Sequence, residues 1–95
     1  MEIQIDTKAA DWYKRELNLG NGDSVRFFVR YGGSSSIQPG FSLGVSKDTP
    51  EDTGSQTNES GIMFFIQEDD LWYFKDHDLI INYDEKAEEP VFNYQ

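Results

Sequence analysis

The sequence predicts an α+β fold, an N-terminal helix followed by a curled mixed or antiparallel sheet of about five to seven strands forming a sandwich or half-barrel. Three observations lead there. A helical apolar period occurs once, near the start, and every later apolar stretch has the alternation or the short length of a strand. Gly, Asn, Asp and Pro steps punctuate these stretches at short intervals. Aromatic side chains make up 15% of the 95 residues and supply the buried area that a small, aliphatic-poor domain needs. The length predicts one domain, residues 1–95.

Taken in order, residues 2–6 alternate polar and apolar, which suits a short half-buried strand. Thr7 is the expected N-cap of a helix over 8–17, in which Ala10, Tyr13 and Leu17 form one stripe with Ala9 and Trp12 beside it. Residues 18–23 carry Asn-Gly and Gly-Asp steps and form a turn. The next strand, residues 24–31, puts Val25, Phe27, Val29 and Tyr31 on one face and Arg26, Phe28 and Arg30 on the other. Phe41, Leu43 and Val45 alternate in its expected hairpin partner, beyond a Gly-Ser connection. Residues 46–60 contain no large apolar side chain and are expected to be a mobile polar loop. Residues 61–66 are apolar on both faces, as in a central strand. Glu68-Asp69-Asp70 leads into a helical turn at Leu71–Phe74, with carboxylates favoring its N-terminus. Residues 78–83 are a further strand, and Pro90 marks residues 90–94 as an edge strand.

Composition removes several chemistries. Without cysteine there is no disulfide framework, thiolate nucleophile or Cys-ligated zinc or iron–sulfur site. No apolar run approaches the ~20 residues of a membrane-spanning helix. The N-terminus lacks the basic and apolar regions of a signal peptide, so the expected location is cytoplasmic. The net charge is −10, unevenly placed. Residues 1–47 hold five acids and six bases, whereas residues 48–95 hold thirteen acids and two bases. An acidic half repels phosphate backbones, which argues against nucleic acid and for either a soluble surface or a basic partner.

Few constellations carry chemistry. His77 lies in Asp76-His77-Asp78, and these three are weak candidate metal ligands, because strand alternation turns the two carboxylates away from the imidazole. No Gly-x-Ser-x-Gly elbow is present, and the carboxylates are too many to single out an acid–base pair. Gly32-Gly33 with Ser34, Ser35 and Ser36 offers backbone N–H groups to an anion, or simply connects a hairpin. Arg26, Phe28 and Arg30 form a basic–aromatic trio, either a partner contact or sheet packing.

The order of parts resembles the HesB-like family, the A-type carriers of iron–sulfur cluster assembly, over residues 3–94. Thr7, Ala9 and Ala10 resemble the family's helix start, and Val25 through Gly33 resemble its first long strand and Gly-Gly turn. Phe41 and Leu43 stand in the aromatic and Leu places, while Ile62–Ile66, Leu71–Phe74, Leu79–Tyr83 and Glu88–Tyr94 look like its later elements. Gly33, Ser34, Ser35 and Ser36 correspond to the family's first cysteine motif. Ser34 takes the cysteine place if an insertion precedes Phe41, and Ser36 takes it otherwise. The carriers' three cysteines have no thiol counterpart here. The resemblance therefore implies the HesB-like fold in a short, cysteine-free subgroup and an association with iron–sulfur assembly without cluster ligation.

The resulting expectation is a cytoplasmic, non-catalytic binding or adaptor module, a monomer or homodimer. It has no cofactor, nucleic-acid or membrane partner, and its protein partner lies in iron–sulfur assembly. One rival is an iron-handling protein using His77 and carboxylates. Another is an enzyme whose carboxylates share an enclosed pocket.

Overall fold

Residues 1–95, all described by the computed structural model, fold into seven strands, one α-helix and one 3₁₀ helix. In chain order these are β1 (Ile3–Ile5), α1 (Thr7–Glu16), β2 (Ser24–Tyr31), β3 (Phe41–Lys47), β4 (Thr53–Glu59), β5 (Ile62–Gln67), the 3₁₀ helix (Glu68–Phe74), β6 (Leu79–Asp84) and β7 (Glu89–Tyr94). No helix is long and apolar enough to cross a membrane. The α+β class and the N-terminal helix stand as expected, but the single curled sheet is replaced by two sheets.

A three-stranded sheet has the order β1-β6-β7, and a four-stranded sheet the order β3-β2-β5-β4. Each is mixed: β1 runs parallel to β6 and β2 parallel to β5, while the remaining pairs are antiparallel. No ladder joins the two sheets, so the strands do not close into a barrel.

Asp6, not Thr7, is the N-cap of α1. Its backbone is extended and its Oδ1 accepts from the Ala9 N–H at 2.7 Å. The reason is a second duty, since Asp6 Oδ2 also accepts from the Tyr83 N–H at 3.1 Å. One carboxylate thus satisfies a free helix amide and ties the helix start to the end of β6. The Thr7 hydroxyl donates instead to Glu59 at 3.1 Å.

Residues 53–59, expected within a mobile loop, form β4. They pair antiparallel with β5 from Glu59↔Ile62 to Thr53↔Gln67, with an irregularity between Thr53 and Ser55. Pairing with an apolar neighbor, not apolar content of its own, makes this segment a strand. Ser55, Thr57 and Glu59 are partly covered, and the Ser55 hydroxyl donates to the Met1 carbonyl at 3.1 Å.

The connection between β3 and β4 joins opposite edges of the sheet. It is tied at one end by Asp48 N–H to the Ser24 carbonyl and at the other by Glu68 N–H to the Asp52 carbonyl. Residues 48–52 therefore strap across the outer face. Phe65 lies on that face and is nevertheless fully buried.

The main core sits between the two sheets and α1. Ala9, Ala10 and Tyr13 of the helix meet Val25, Phe27, Ile62, Phe64 and Ile66 of the larger sheet. Ile3, Leu79 and Ile81 face them from the smaller sheet, and Tyr73 and Phe74 enter from the 3₁₀ helix. Phe27 is the junction. Its ring lies 5.7 Å from Tyr13, 5.9 Å from Phe64 and 5.7 Å from Phe92. Gly44 of β3 is needed opposite Phe28, because a Cβ there would stand 2.4 Å from the Phe28 ring.

Replacing Phe27 with Ala should destabilize the protein by about 3–5 kcal/mol, read as a lowered urea midpoint at unchanged slope. A smaller effect would mean that the three layers do not depend on this ring. Amide exchange tests the corrected strand: the ladder amides of β4 should be protected, whereas a loop over 53–59 would exchange without protection.

Candidate functional site

Burial declines along the inner face of β2. Val25 and Phe27 are fully buried, Val29 is partly covered, and Tyr31 is 89% exposed. The strand is eight residues long and runs past the cover provided by the smaller sheet. The overhang leaves Tyr31 and Trp72 open to solvent on either side of the partly buried Phe41. Tyr31 stacks edge-to-face on Phe41 with centroids 5.7 Å apart, and Phe41 does the same with Trp72 at 5.3 Å. Trp72, from the 3₁₀ helix, is 50% exposed. These two are the large hydrophobic side chains that the fold leaves most open, and Tyr and Trp are the residue types that anchor protein interfaces.

The serine loop adjoins this row. Gly32 and Gly33 both take positive φ, at +113° and +69°, so the turn that leaves Tyr31 needs glycine. The loop is stitched into shape. Gly32 N–H donates to the Gly40 carbonyl at 2.8 Å, and Ser42 Oγ donates to the Gly32 carbonyl at 3.0 Å. Ser35 Oγ accepts from the Gln38 N–H at 3.1 Å. Ser34, Ser35 and Ser36 line one wall of an open groove of about 380 Å³, faced by Leu43, Phe92 and Tyr94. At its side the hydroxyls of Tyr73 and Tyr94 are 2.9 Å apart.

The trio Arg26, Phe28 and Arg30 is divided by the fold. Arg26 pairs with Asp70 at 3.1 Å and with Asp48 of the strap at 3.8 Å, and it lies over the Phe28 ring at 5.8 Å. Asp70 Oδ2 also accepts from the Val29 N–H at 3.4 Å, where β5 no longer pairs with β2. Phe28 covers Gly44. Arg26 and Phe28 therefore pack the sheet, whereas Arg30 remains exposed and donates from Nε to Ser42 Oγ at 3.1 Å, beside the serine loop.

The weak metal candidates are not brought together. His77 Nδ1 lies 2.9 Å from the Phe74 carbonyl, which fixes that nitrogen as the donor. Asp78 Oδ1 accepts from the Glu2 N–H at 2.7 Å, and Asp76 is exposed at a positive φ of 66°. No three His, Cys, Asp or Glu side chains converge anywhere in the molecule.

A second groove, of about 400 Å³, lies on the other flank of Phe92, between α1, β3 and β7. Its wall is Trp12, Leu17, Val45, Pro90 and Phe92, and two exposed carboxylates, Glu16 and Glu89, stand on it. The Trp12 indole N–H donates to the Glu88 carbonyl at 3.1 Å and holds helix and hairpin together.

Sequence reasoning missed Tyr31 and Trp72. Strand alternation puts Tyr31 on one face with Val25, Phe27 and Val29, and Trp72 enters only as part of the Leu71–Phe74 turn. The available signal was position: an aromatic at the last residue of a strand, directly before Gly-Gly and across the hairpin from Phe41.

The chain is similar over its full length to a Bacillus subtilis protein named pyruvate dehydrogenase inhibitor, with 58% identity over 95 residues covering both chains entirely. It is also similar to uncharacterized proteins of Staphylococcus saprophyticus, 44% identical over 92 residues and 94% of each chain, and of Staphylococcus aureus strain MRSA252, 38% identical over 85 residues, covering 86% of this chain and 87% of that one. No family model matches the chain.

These findings overturn the HesB-like assignment and, with it, the expected role in iron–sulfur assembly. The resemblance rested on the order of elements and on isolated Gly, aromatic and Leu positions, which any small α+β chain with a Gly-rich hairpin can share. The iron-handling alternative falls too, because the imidazole and carboxylates it needed are engaged separately.

The tyrosines supply a pH test. Burial and the hydrogen bond between its hydroxyl and that of Tyr73 raise the Tyr94 phenol well above its ordinary 10.0, and burial, aided by the charge of Glu89, does the same for Tyr13. A raised folded-state value favors the neutral form. The contribution to stability is thus complete below pH 10 and declines as pH climbs above it, where unfolded phenols ionize first. Denaturation midpoints should fall between pH 10 and 12, and replacing Tyr94 with Phe should flatten that fall. An equally steep fall in the variant would count against the Tyr94 contribution.

Proposed function

This chain belongs to the family of the Bacillus subtilis pyruvate dehydrogenase inhibitor, and on that premise we propose that it is a cytoplasmic, non-catalytic regulator that inhibits pyruvate dehydrogenase by direct protein contact. It acts as one domain, residues 1–95, since a single core cluster joins both sheets and the helix. The observation that carries the contact surface is the stacked row Tyr31–Phe41–Trp72, whose two ends, Tyr31 and Trp72, are open to solvent. Rigid aromatics lose little conformational freedom on docking and bury large area, so a few of them can hold most of an interface's energy. Trp72 is set on the 3₁₀ helix beside the fully buried Tyr73 and Phe74, and Tyr31 is set by the hairpin register, so both are presented by rigid elements.

The serine loop, Gly33 to Ser36, and Arg30 form the polar margin of this surface. Hydroxyl and guanidinium groups around an aromatic center fit the pattern of an apolar interface core with a polar rim. The excess of acid at −10 favors a partner patch of positive charge and speeds encounter with it. Inhibition then follows from occupying or distorting the enzyme's surface. The carboxylates on the grooves support this reading over an enzymatic one, because Glu16 and Glu89 are exposed on an open rim and not enclosed.

The test is an inhibition titration of purified pyruvate dehydrogenase with the wild-type chain and its variants. Wild type should inhibit saturably. Trp72→Ala and Tyr31→Ala should each raise the half-inhibiting concentration at least tenfold, as expected for interface anchors worth ~2 kcal/mol. Enzyme activity indifferent to the wild-type chain would sink the proposal. Inhibition untouched by both substitutions would move the contact off this face.

A further inference from the structure

From the groove between α1, β3 and β7 we infer a second docking surface that takes a partner segment in which a Lys or Arg is flanked by apolar side chains. The inference rests on the proposal that this chain inhibits by protein contact, and it specifies the chemistry of part of that contact.

Three observations converge on that occupant. The first is shape and lining. Trp12, Leu17, Val45, Pro90 and Phe92 present apolar surface in an open cleft of about 400 Å³, which lies within the ~300–1,000 Å³ range typical of binding clefts. The cleft is structural and not a chance furrow. It is the seam where side chains of two unladdered edge strands, β3 and β7, line one cleft.

The second is charge. Glu16 and Glu89 stand on this apolar wall, and neither belongs to any of the molecule's ion pairs, which are Lys8–Glu85, Arg26–Asp48, Arg26–Asp70 and Lys47–Asp23. Among the basic side chains of this region, Lys14 donates to Asn21 Oδ1 and the Ser60 carbonyl and Lys8 to Glu85, while Arg15 and Lys86 are exposed and form no ion pair with either carboxylate. Two unpaired carboxylates beside indole, leucine and phenylalanine select a cation carried on an apolar stem, as Lys and Arg side chains are. An uncharged apolar segment would approach the carboxylates without pairing them, and an acidic one would be repelled.

The third concerns the backbone. Asp78 and Gln95 exchange both of their N–H···O bonds, so alternate positions along β7, including Pro90 and Phe92, turn their backbone groups away from β6 toward the seam. Pro90 has no N–H to offer there, and Glu88 and Glu89 put charge at the same end of the edge. Both features discourage plain strand addition. Recognition in this groove therefore runs through side chains, which is how a Lys- or Arg-bearing segment is told from any other strand.

The experiment uses Glu16→Gln/Glu89→Gln, a neutral change at two exposed positions, with circular dichroism and urea midpoint as the check on folding. Binding to pyruvate dehydrogenase should weaken about tenfold at low ionic strength, and the gap from wild type should close in high salt. In parallel, a synthetic peptide of alternating Leu and Lys is titrated against both proteins, with the methyl resonances of Leu17 and Val45 followed by NMR. Those resonances should shift in wild type and not in the variant. Enzyme binding equal for wild type and variant would overturn the groove while leaving the inhibitor reading intact. A wild-type chain that ignores the enzyme yet binds the peptide through Glu16 and Glu89 would overturn the inhibitor reading and keep the chemistry of the groove. Failure to bind either would overturn both.

Discussion

The packing of Phe27 against Tyr13, Phe64 and Phe92 is the contact on which the rest of the architecture depends. Those four rings come from α1, β2, β5 and β7, so a single aromatic cluster spans the helix and both sheets. The two sheets share no ladder, and their polar links lie on one side, where Ser55 reaches Met1 and Thr7 reaches Glu59. On the opposite side, the edge strands β3 and β7 line the same grooves without a ladder between them. There Phe92, held against Phe27, is the wedge between them. Aromatic packing thus replaces hydrogen bonding as the closure of the fold, which suits a short chain that must bury much area with few residues.

The absence of a ladder between the sheets has consequences for the surface. The seam opens into two grooves that share Phe92, one lined by the serines and the other by Trp12 and Leu17. Beyond the seam, β2 and β3 overhang the smaller sheet and leave Tyr31 and Phe41 to be met by Trp72. The features proposed for binding are therefore by-products of one mismatch, a four-stranded sheet with long strands set against a three-stranded sheet that is too small to cover it. The acidic excess adds range and sign to this surface, and the aromatics add short-range affinity.

Much of the fold was legible in the sequence because it is written in local periodicity. The alternation in 24–31 assigned the faces of β2, the two-sided apolar run in 61–66 identified β5 as an interior strand, and Pro90 marked an edge. β4 was not legible. Its inward positions are Ser55, Thr57 and Glu59, which alternate in exposure but not in hydrophobicity, so no amphipathic signal exists to detect. The cap was misplaced by one residue because Asp6 and Thr7 are both good caps, and only the reach of Asp6 to the Tyr83 amide separates them. The HesB-like resemblance failed because it compared the order of elements, a property that unrelated small α+β chains share, and because the cysteines that define the carriers' chemistry were missing.

By itself the sequence determined the class, the helix stripe, the facing of the strong strands and the exclusion of thiol chemistry, since each depends on residue types at short spacing. The tertiary structure alone decided that Arg26 and Phe28 pack the sheet while Arg30 stays exposed beside the serine loop, that Tyr31 and Trp72 face solvent, and that Glu16 and Glu89 share one apolar groove. Exposure is a property of what lies opposite, and what lies opposite comes from residues forty or more positions away, such as Asp70 over Arg26 and Phe92 against Phe27. Periodicity tells which face a side chain takes, and only the packing of one sheet on another tells whether that face is covered.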